Sequence, residues 1–326
     1  MSDPAFVNTL NSIVANATPL VIASIGETVT ERAGVINLSL NGSILLAAML
    51  GFAAAQTTHS VYAGLLVAMI VGALIALIIA VASIDLRRDQ VAVGFVLTLL
   101  AADLAQFLGT SYANIPGPTI PSAPIPVLKE IPVLGTALFK HDPMVYFSFA
   151  LVFATWFWLF RSRPGLAHRA IGEHPEAAFA RGTRVNLQRY LYTVLGGALV
   201  GLAGAAYSMG IKAGWSTPPK MDGDGWIALA IVIFGGWHPF RVVLGAYLFA
   251  ALRAAASSIQ RSDVINIPLV LLNGLPWLLM IVTLMLVSSG AIERLVRVLP
   301  RPVQNRARAF LRSDPPLALG RRFEPE

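Results

Sequence analysis

The sequence predicts an all-α membrane protein: a polytopic transmembrane helical bundle with a re-entrant or broken helix pair and a short cytoplasmic helix between two spans. Three observations predict it. Apolar residues make up 56% of the 326-residue chain and charged residues only 13%, against about 25% charged in an ordinary soluble domain. Mean hydropathy is +0.69, so most helices have no wet face, and lipid is the solvent that suits them. The apolar residues fall in runs of spanning length, about 20 residues, separated by short polar stretches rich in Arg. The 27 Gly fit this class, because small residues let helices approach closely where no water drives them together.

Taken in order, spans are expected at roughly 6–25, 35–55, 61–84, 90–109, 143–160, 190–211 and 267–289. Ala15-Asn16-Ala17 has the form of a cleavage site, but no Lys or Arg precedes Arg32, so the first run is expected to be a retained helix. The stretch 226–258 breaks at Gly235-Gly236-Trp237-His238-Pro239, and its first arm, 226–234, is too short to span. It reads as a re-entrant hairpin or a discontinuous pair, which membranes tolerate only against protein or a water-filled path. A faint internal repeat matches Gly72-Ala73-Leu74, Leu77 and Ala80 with Gly197-Ala198-Leu199, Leu202 and Ala205. It suits an inverted repeat, and chance similarity in Ala/Leu/Gly-rich sequence explains it as well. Gly197, Gly201 and Ala205 read as a stripe for tight helix packing.

Orientation follows from the Arg-rich loops. Arg87 and Arg88 lie in one. Arg161, Arg163, Arg169, Arg181, Arg184 and Arg189 lie in or beside the loop 161–189, and eight further Arg follow residue 292. The span order puts all three segments on one side, expected to be cytoplasmic, with the Pro-rich and Gly-rich loops 110–142 and 212–224 opposite. A transmembrane domain is therefore expected over 1–292, with a basic cytoplasmic tail over 293–326 that touches anionic lipid or a protein partner. The +7 charge sits in loops between apolar runs, which points to membrane rather than to nucleic acid.

Several chemistries are missing. The chain has no Cys, and hence no disulfide, thiol nucleophile or Cys-ligated zinc. Its five His are scattered, so no metal site is expected. No Gly-Lys pair occurs, so the chain carries no P-loop, and any ATP coupling must come from a partner.

Four groups of residues could carry function. In Gly172-Glu173-His174-Pro175-Glu176-Ala177-Ala178-Phe179-Ala180-Arg181-Gly182, Pro175 suits a first helical turn, Glu173 and Glu176 suit the positive end, and Gly182 suits the stop. A short helix over about 175–181 follows, with Ala177, Ala178 and Phe179 available for docking. Spacing alone fits an amphipathic connector equally well. Glu27, Glu31 and Arg32 read as a structural cluster holding a helix break, or as a solvated turn. If helical, the two Glu lie at i,i+4 and need a cation. Asp103 and Gln106 lie one turn apart, either lining a pathway or lying shallow near the outer surface, and Arg253 is a candidate partner for Asp103. Asn37, Ser39, Asn41 and Ser43 line the second span, with Asn37 and Asn41 on one helical face. Neutral amides can read a ribose or a base edge, or bond between helices.

Glu176-Ala177-Ala178 followed three residues later by Gly182 resembles the EAA-type loop of importer permeases. The run Gly26-Glu27-Thr28-Val29-Thr30-Glu31-Arg32-Ala33-Gly34-Val35-Ile36-Asn37-Leu38 is similar to the opening of the branched-chain amino acid and simple-sugar permease superfamily, in particular its nucleoside branch associated with basic membrane lipoproteins. Gly223-Asp224-Gly225-Trp226-Ile227-Ala228-Leu229-Ala230 and Trp237-His238-Pro239 resemble the same branch. One departure is Asn41-Gly42, where that branch usually has an acidic residue or Gln before the Gly.

The resemblance implies a non-enzymatic permease subunit of an ABC importer in the inner (plasma) membrane, moving a nucleoside or purine-like solute. It implies a separate ATPase subunit carrying ATP and Mg, a second homologous permease and a substrate-binding lipoprotein. Gly172 to Ala178 with Gly182 would form the coupling helix, and Asn37, Asn41, Asp103, Gln106 and Trp226 are candidates for the solute pathway. A simple-sugar ABC permease and an ion-coupled secondary transporter are the alternatives.

Overall fold

The structure, a computed structural model, describes residues 4–211, 213–261 and 314–324, with six scattered positions from 274 to 300. Apart from isolated helical positions, the span expected over 267–289 lies outside the described residues, as does the expected domain boundary at 292.

Eleven α-helices follow one another among the described residues. They are α1 (Pro4–Arg32), α2 (Leu40–Thr58), α3 (Val61–Ala80), α4 (Gln90–Gly109), α5 (Leu134–Leu138), α6 (Pro143–Arg161), α7 (Arg163–Glu173), α8 (Pro175–Ala180), α9 (Val185–Ala206), α10 (Asp224–Phe234) and α11 (Pro239–Arg261). Single π turns extend α3 to Asp85 and α9 to Ile211. Seven helical segments are long and apolar enough to cross a membrane, within α1, α2, α3, α4, α6, α9 and α11. Polar residues set their starts. Asp89 Oδ1 accepts from Ala92 N at 2.7 Å to open α4. Asp142 Oδ1 accepts from Met144 N at 2.8 Å to open α6, with Pro143 in the first turn, where a missing N–H costs nothing.

Three boundaries differ from the sequence expectation. The first helix runs on to Arg32, because Glu27 and Glu31 are partnered inside the protein rather than in water. The second helix starts at Leu40, not 35, so Asn37 lies in the non-helical connector and does not share a helical face with Asn41. In the interrupted pair, α10 is short as expected, but α11 is itself of spanning length.

The core is built on close backbone approach. The most extensive contact joins α3 to α9, and α1 packs along α9 as well. A Cβ on Gly72 would meet the carbonyl oxygen of Gly197, and one on Gly201 would meet that of Ala68. Any side chain at these positions would push the helices apart, and in lipid van der Waals packing is the main attraction available. The matched glycines of the faint repeat, Gly72 and Gly197, thus face each other.

Loops segregate to two ends. At one, Tyr190 donates to Asp85 Oδ2 at 2.6 Å, and Arg87 pairs with Glu324 at 2.8 Å. The Ala318 N–H donates to the Gly172 carbonyl at 2.9 Å. The loop 85–89, the loop holding α7 and α8, and the segment 314–324 therefore share that end. At the other end, Asn114 N donates to Trp215 O at 2.9 Å and Ile120 N to Met209 O at 2.8 Å, joining 110–142 to the end of the π turn on α9 and to the loop 213–223 that follows it.

Candidate coupling surface and solute pathway

The helix pair α7–α8 is shaped by its termini. Ser162 Oγ accepts from Gly165 N at 3.0 Å to start α7. His174 breaks the helix at φ −142° and ψ 79°, and Pro175 restarts it as the first residue of α8. Gly182 ends the turn at φ +85°, with Gly182 N donating to Phe179 O at 2.8 Å and Thr183 N to Ala178 O at 3.1 Å. This left-handed position suits Gly because an L side chain would be strained there.

The candidate coupling residues divide into two faces. Pro175 and Ala178 are buried, and Ala178 packs with Ala33, Ile171 and Val185. His174, Glu176, Ala177 and Phe179 are exposed. Ala178 therefore faces the protein's own body, so of the two alanines expected to be available for docking only Ala177 is open to a partner. Gly172 lies so close to the Arg32 carbonyl that a Cβ would collide with it. Glu173 pairs with Arg32 at 3.5 Å and accepts the Leu317 N–H at 3.1 Å.

Sequence reading passed over His168. It is fully buried, stacked on Tyr192 with centroids 3.6 Å apart, and donates from Nε2 to Val29 O at 2.9 Å. Burial, helped by the Arg32 charge, pushes its pKa down to about 4. A lone His among scattered ones carries no signal of this in sequence.

Buried Glu27 and Glu31, with partly buried Arg32, tie two breaks in the backbone to the end of α1. Glu27 Oε1 accepts from Asn37 N at 3.2 Å, holding the α1–α2 connector. Glu31 accepts the Trp237 indole N–H. Arg32 donates to Trp237 O at 3.1 Å and to Gly236 O at 3.4 Å. The α10–α11 break thus hangs on the end of α1.

Among the candidate pathway residues, Asn41 and Trp226 come together at the start of α10. Asn41 Oδ1 accepts from Gly223 N at 2.9 Å and Gly225 N at 3.3 Å, and its Nδ2 donates to Asp222 at 2.9 Å. Half-buried Trp226 lies 6.3 Å from the Phe95 ring of α4. Asn37 sits apart, its side-chain oxygen accepting from Ser39 N at 3.0 Å and from the Ser39 hydroxyl at 2.6 Å. Asp103 is exposed and Gln106 half-buried on α4, with Asp103 two turns beyond Phe95, about 12 Å along the axis. Arg253 does not pair with Asp103. It binds the fully buried Asp224, with Nη1 to Oδ2 at 3.1 Å, because α11 returns past the start of α10. Sequence reading missed Asp224 as that partner.

Seven apolar spans, a half-length helix ending in a buried break, and a short outward-facing helix between two spans define an integral membrane protein of the permease class, resident in the plasma membrane. The chain belongs to the family described as branched-chain amino acid transport system / permease component, which matches residues 9–288. It is similar to the nucleoside ABC transporter permease protein NupC of Lactococcus lactis subsp. cremoris, 33% identical over 88% of this chain and 95% of the relative. It is also similar to the guanosine ABC transporter permease protein NupQ of Bacillus subtilis, 36% identical over 72% and 76%. A third relative is the putative glucose ABC transporter permease protein TsgC13 of Haloferax volcanii, 37% identical over 75% of each chain. No solved structure matches the chain.

Proposed function

We propose that this permease component works in an ATP-binding-cassette importer and passes a nucleoside or related purine-like solute across the plasma membrane. The observation that carries the solute is the meeting of Trp226 and Phe95 near the exposed Asp222, which Asn41 holds in place. An aromatic face next to hydrogen-bonding groups suits a base and a ribose. The names of the Lactococcus and Bacillus relatives support the same solute class. ATP and Mg sit on a separate ATPase subunit, which grips the outward face of α8 through Glu176, Ala177 and Phe179. A second homologous permease completes the pathway, with Asp103 and Gln106 on the outward side of α4 turned toward it. A substrate-binding lipoprotein delivers the solute to the opposite end. The Arg-rich end is cytoplasmic, and this chain itself holds no cofactor.

Uptake of labelled guanosine by cells carrying the whole transporter tests the reading. Excess unlabelled nucleoside should abolish uptake, and excess ribose or glucose should not. Trp226→Ala should lower uptake about tenfold at equal membrane abundance, since base stacking on an aromatic ring is worth about 1–3 kcal/mol. A hexose is the second reading, favoured by the Haloferax relative. Glucose uptake that nucleosides leave untouched would install it. Uptake sustained after ATP depletion, with the ion gradient held, would instead indicate an ion-coupled transporter.

A further inference from the structure

Residues 314–324 fold back onto the end of the bundle that carries α7 and α8. Their backbone is bound there at several points. Ala318 N donates to Gly172 O at 2.9 Å, Gly320 N to Gly34 O at 3.0 Å, and Leu317 N to Glu173 Oε2 at 3.1 Å. Arg189 of α9, only 2% exposed, donates from Nη1 to the Arg321 carbonyl at 3.0 Å. Within the segment, Pro316 and Ala318 are buried. Phe323 packs on the cluster of Ala33, Ile171, Ala178 and Val185, and its ring lies 5.6 Å from that of Phe179.

Large apolar groups nonetheless remain exposed at this end, outside every span. Leu317 is 57% exposed and Phe179 is 44% exposed, with Phe323 half-buried beside it. Arg181, Arg184, Arg321 and Arg322 are exposed near them in the chain. Aromatic side chains joined with Arg are the composition that protein interfaces favour. We infer that the segment 314–324 is the second half of the surface on which the ATPase subunit docks. Phe179 and Phe323 form a joint apolar anchor, and the four arginines meet an acidic rim on that partner. This rests on the ATP-coupled reading above and extends it to a part of the chain that α8 does not include.

The ATPase is a better occupant than lipid. A basic tail drawn to anionic lipid needs only its charge. This segment uses its backbone donors on α7 and on the Gly34 turn, and Phe323 turns toward α8 rather than toward hydrocarbon. A partner that grips Phe179 and Phe323 together also holds the α1–α2 connector, through the Gly320–Gly34 bond, and α7, through the Ala318–Gly172 bond.

The test compares Phe323→Asp, Phe179→Asp and a chain ending at residue 313, each in the full transporter. The readouts are membrane abundance, thermal stability of the permease alone, ATPase co-purification and binding to phosphatidylglycerol vesicles. Phe323→Asp should weaken ATPase association about tenfold or more at equal amounts of folded permease, with the thermal stability of the permease alone reading any loss of its packing on the Ala178 cluster. If Phe179→Asp abolishes association and Phe323→Asp leaves it intact, the inference about the tail is overturned and the coupling reading stands. Stability lost on truncation, with association kept in Phe323→Asp, would make the segment an internal strap only. Vesicle binding lost on truncation, with ATPase association kept, would make it a lipid contact. If neither Phe variant affects association, both the inference and the coupling reading fall.

Discussion

Ala177 and Ala178 are neighbours of the same type with opposite surroundings. Ala178 lies against Ala33, Ile171 and Val185, and Ala177 faces outward. Ala178→Glu would bury an unpaired charge within the permease itself, costing several kcal/mol. The purified permease should melt at a lower temperature with no partner present. Ala177→Glu should melt as the wild type does and lose ATPase association instead. Equal melting temperatures for the two variants would contradict the orientation of α8. His168 makes a second prediction at this scale. Its Nδ1 is buried without an acceptor, so the neutral ring fits and the imidazolium does not. Its pKa is about 4 in the folded chain against an ordinary 6.5. Between these values the unfolded chain binds more protons, so this contribution is complete above pH 6.5 and is lost as pH falls toward 4. Melting temperature should fall over that window, and His168→Gln should flatten the fall. An identical pH profile in the variant would exclude the role.

At the scale of elements, two interruptions organise the bundle: the connector 33–39 and the break 235–238. Both are anchored by the last turns of α1. Glu31 is 5% exposed and accepts the Trp237 indole N–H, and Trp237 itself sits at φ +53°, a left-handed conformation unusual for a large side chain. Trp237→Phe keeps most of the ring and removes the donor. It should cost about 1–3 kcal/mol, the penalty for an unsatisfied buried acceptor. Glu31→Gln in the same background should recover part of the loss, since a neutral amide is cheaper to leave unpaired than a carboxylate. Thermal unfolding of the two variants measures this, and no rescue by Gln would mean that the bond does not hold the break. The packing of α3 on α9 follows another rule: Gly72, Gly197 and Gly201 set the distance between two backbones.

For the whole molecule, the Arg-rich loops 85–89 and 161–189 and the segment 314–324 converge at one end, and the loops 110–142 and 213–223 at the other. The natural absence of Cys makes the arrangement directly testable. Cysteines introduced at Arg88, Arg184 and Arg321 should share one accessibility, closed to an impermeant reagent in intact cells. Cysteines at Lys129 and Lys140 should react from outside. Labelling of positions 88 and 129 from the same side would break the topology.

The six spans expected before residue 212 were legible in the sequence because a span needs only a local run of apolar residues. The short helix at 175–180 was legible from Pro175 and Gly182, and the break at 235–238 from its glycines and proline. These are properties of neighbouring residues. What the sequence left open depended on which faces of which helices meet. Arg253 was equally available to Asp103, and only the return of α11 past α10 gave it to Asp224. Asn41 read as a possible ligand group, and the 222–225 turn takes up both of its side-chain atoms. Ala178 read as a docking residue, and the body of the permease claims it. The docking of 314–324 on α7 left no pattern in a tail that reads as basic and Pro-rich. In a soluble helix a polar face points away from the core and so marks the inner side. In a membrane helix both faces are apolar, so the sequence by itself determined the solvent, the spans and the breaks, and tertiary structure alone decided which residues face each other.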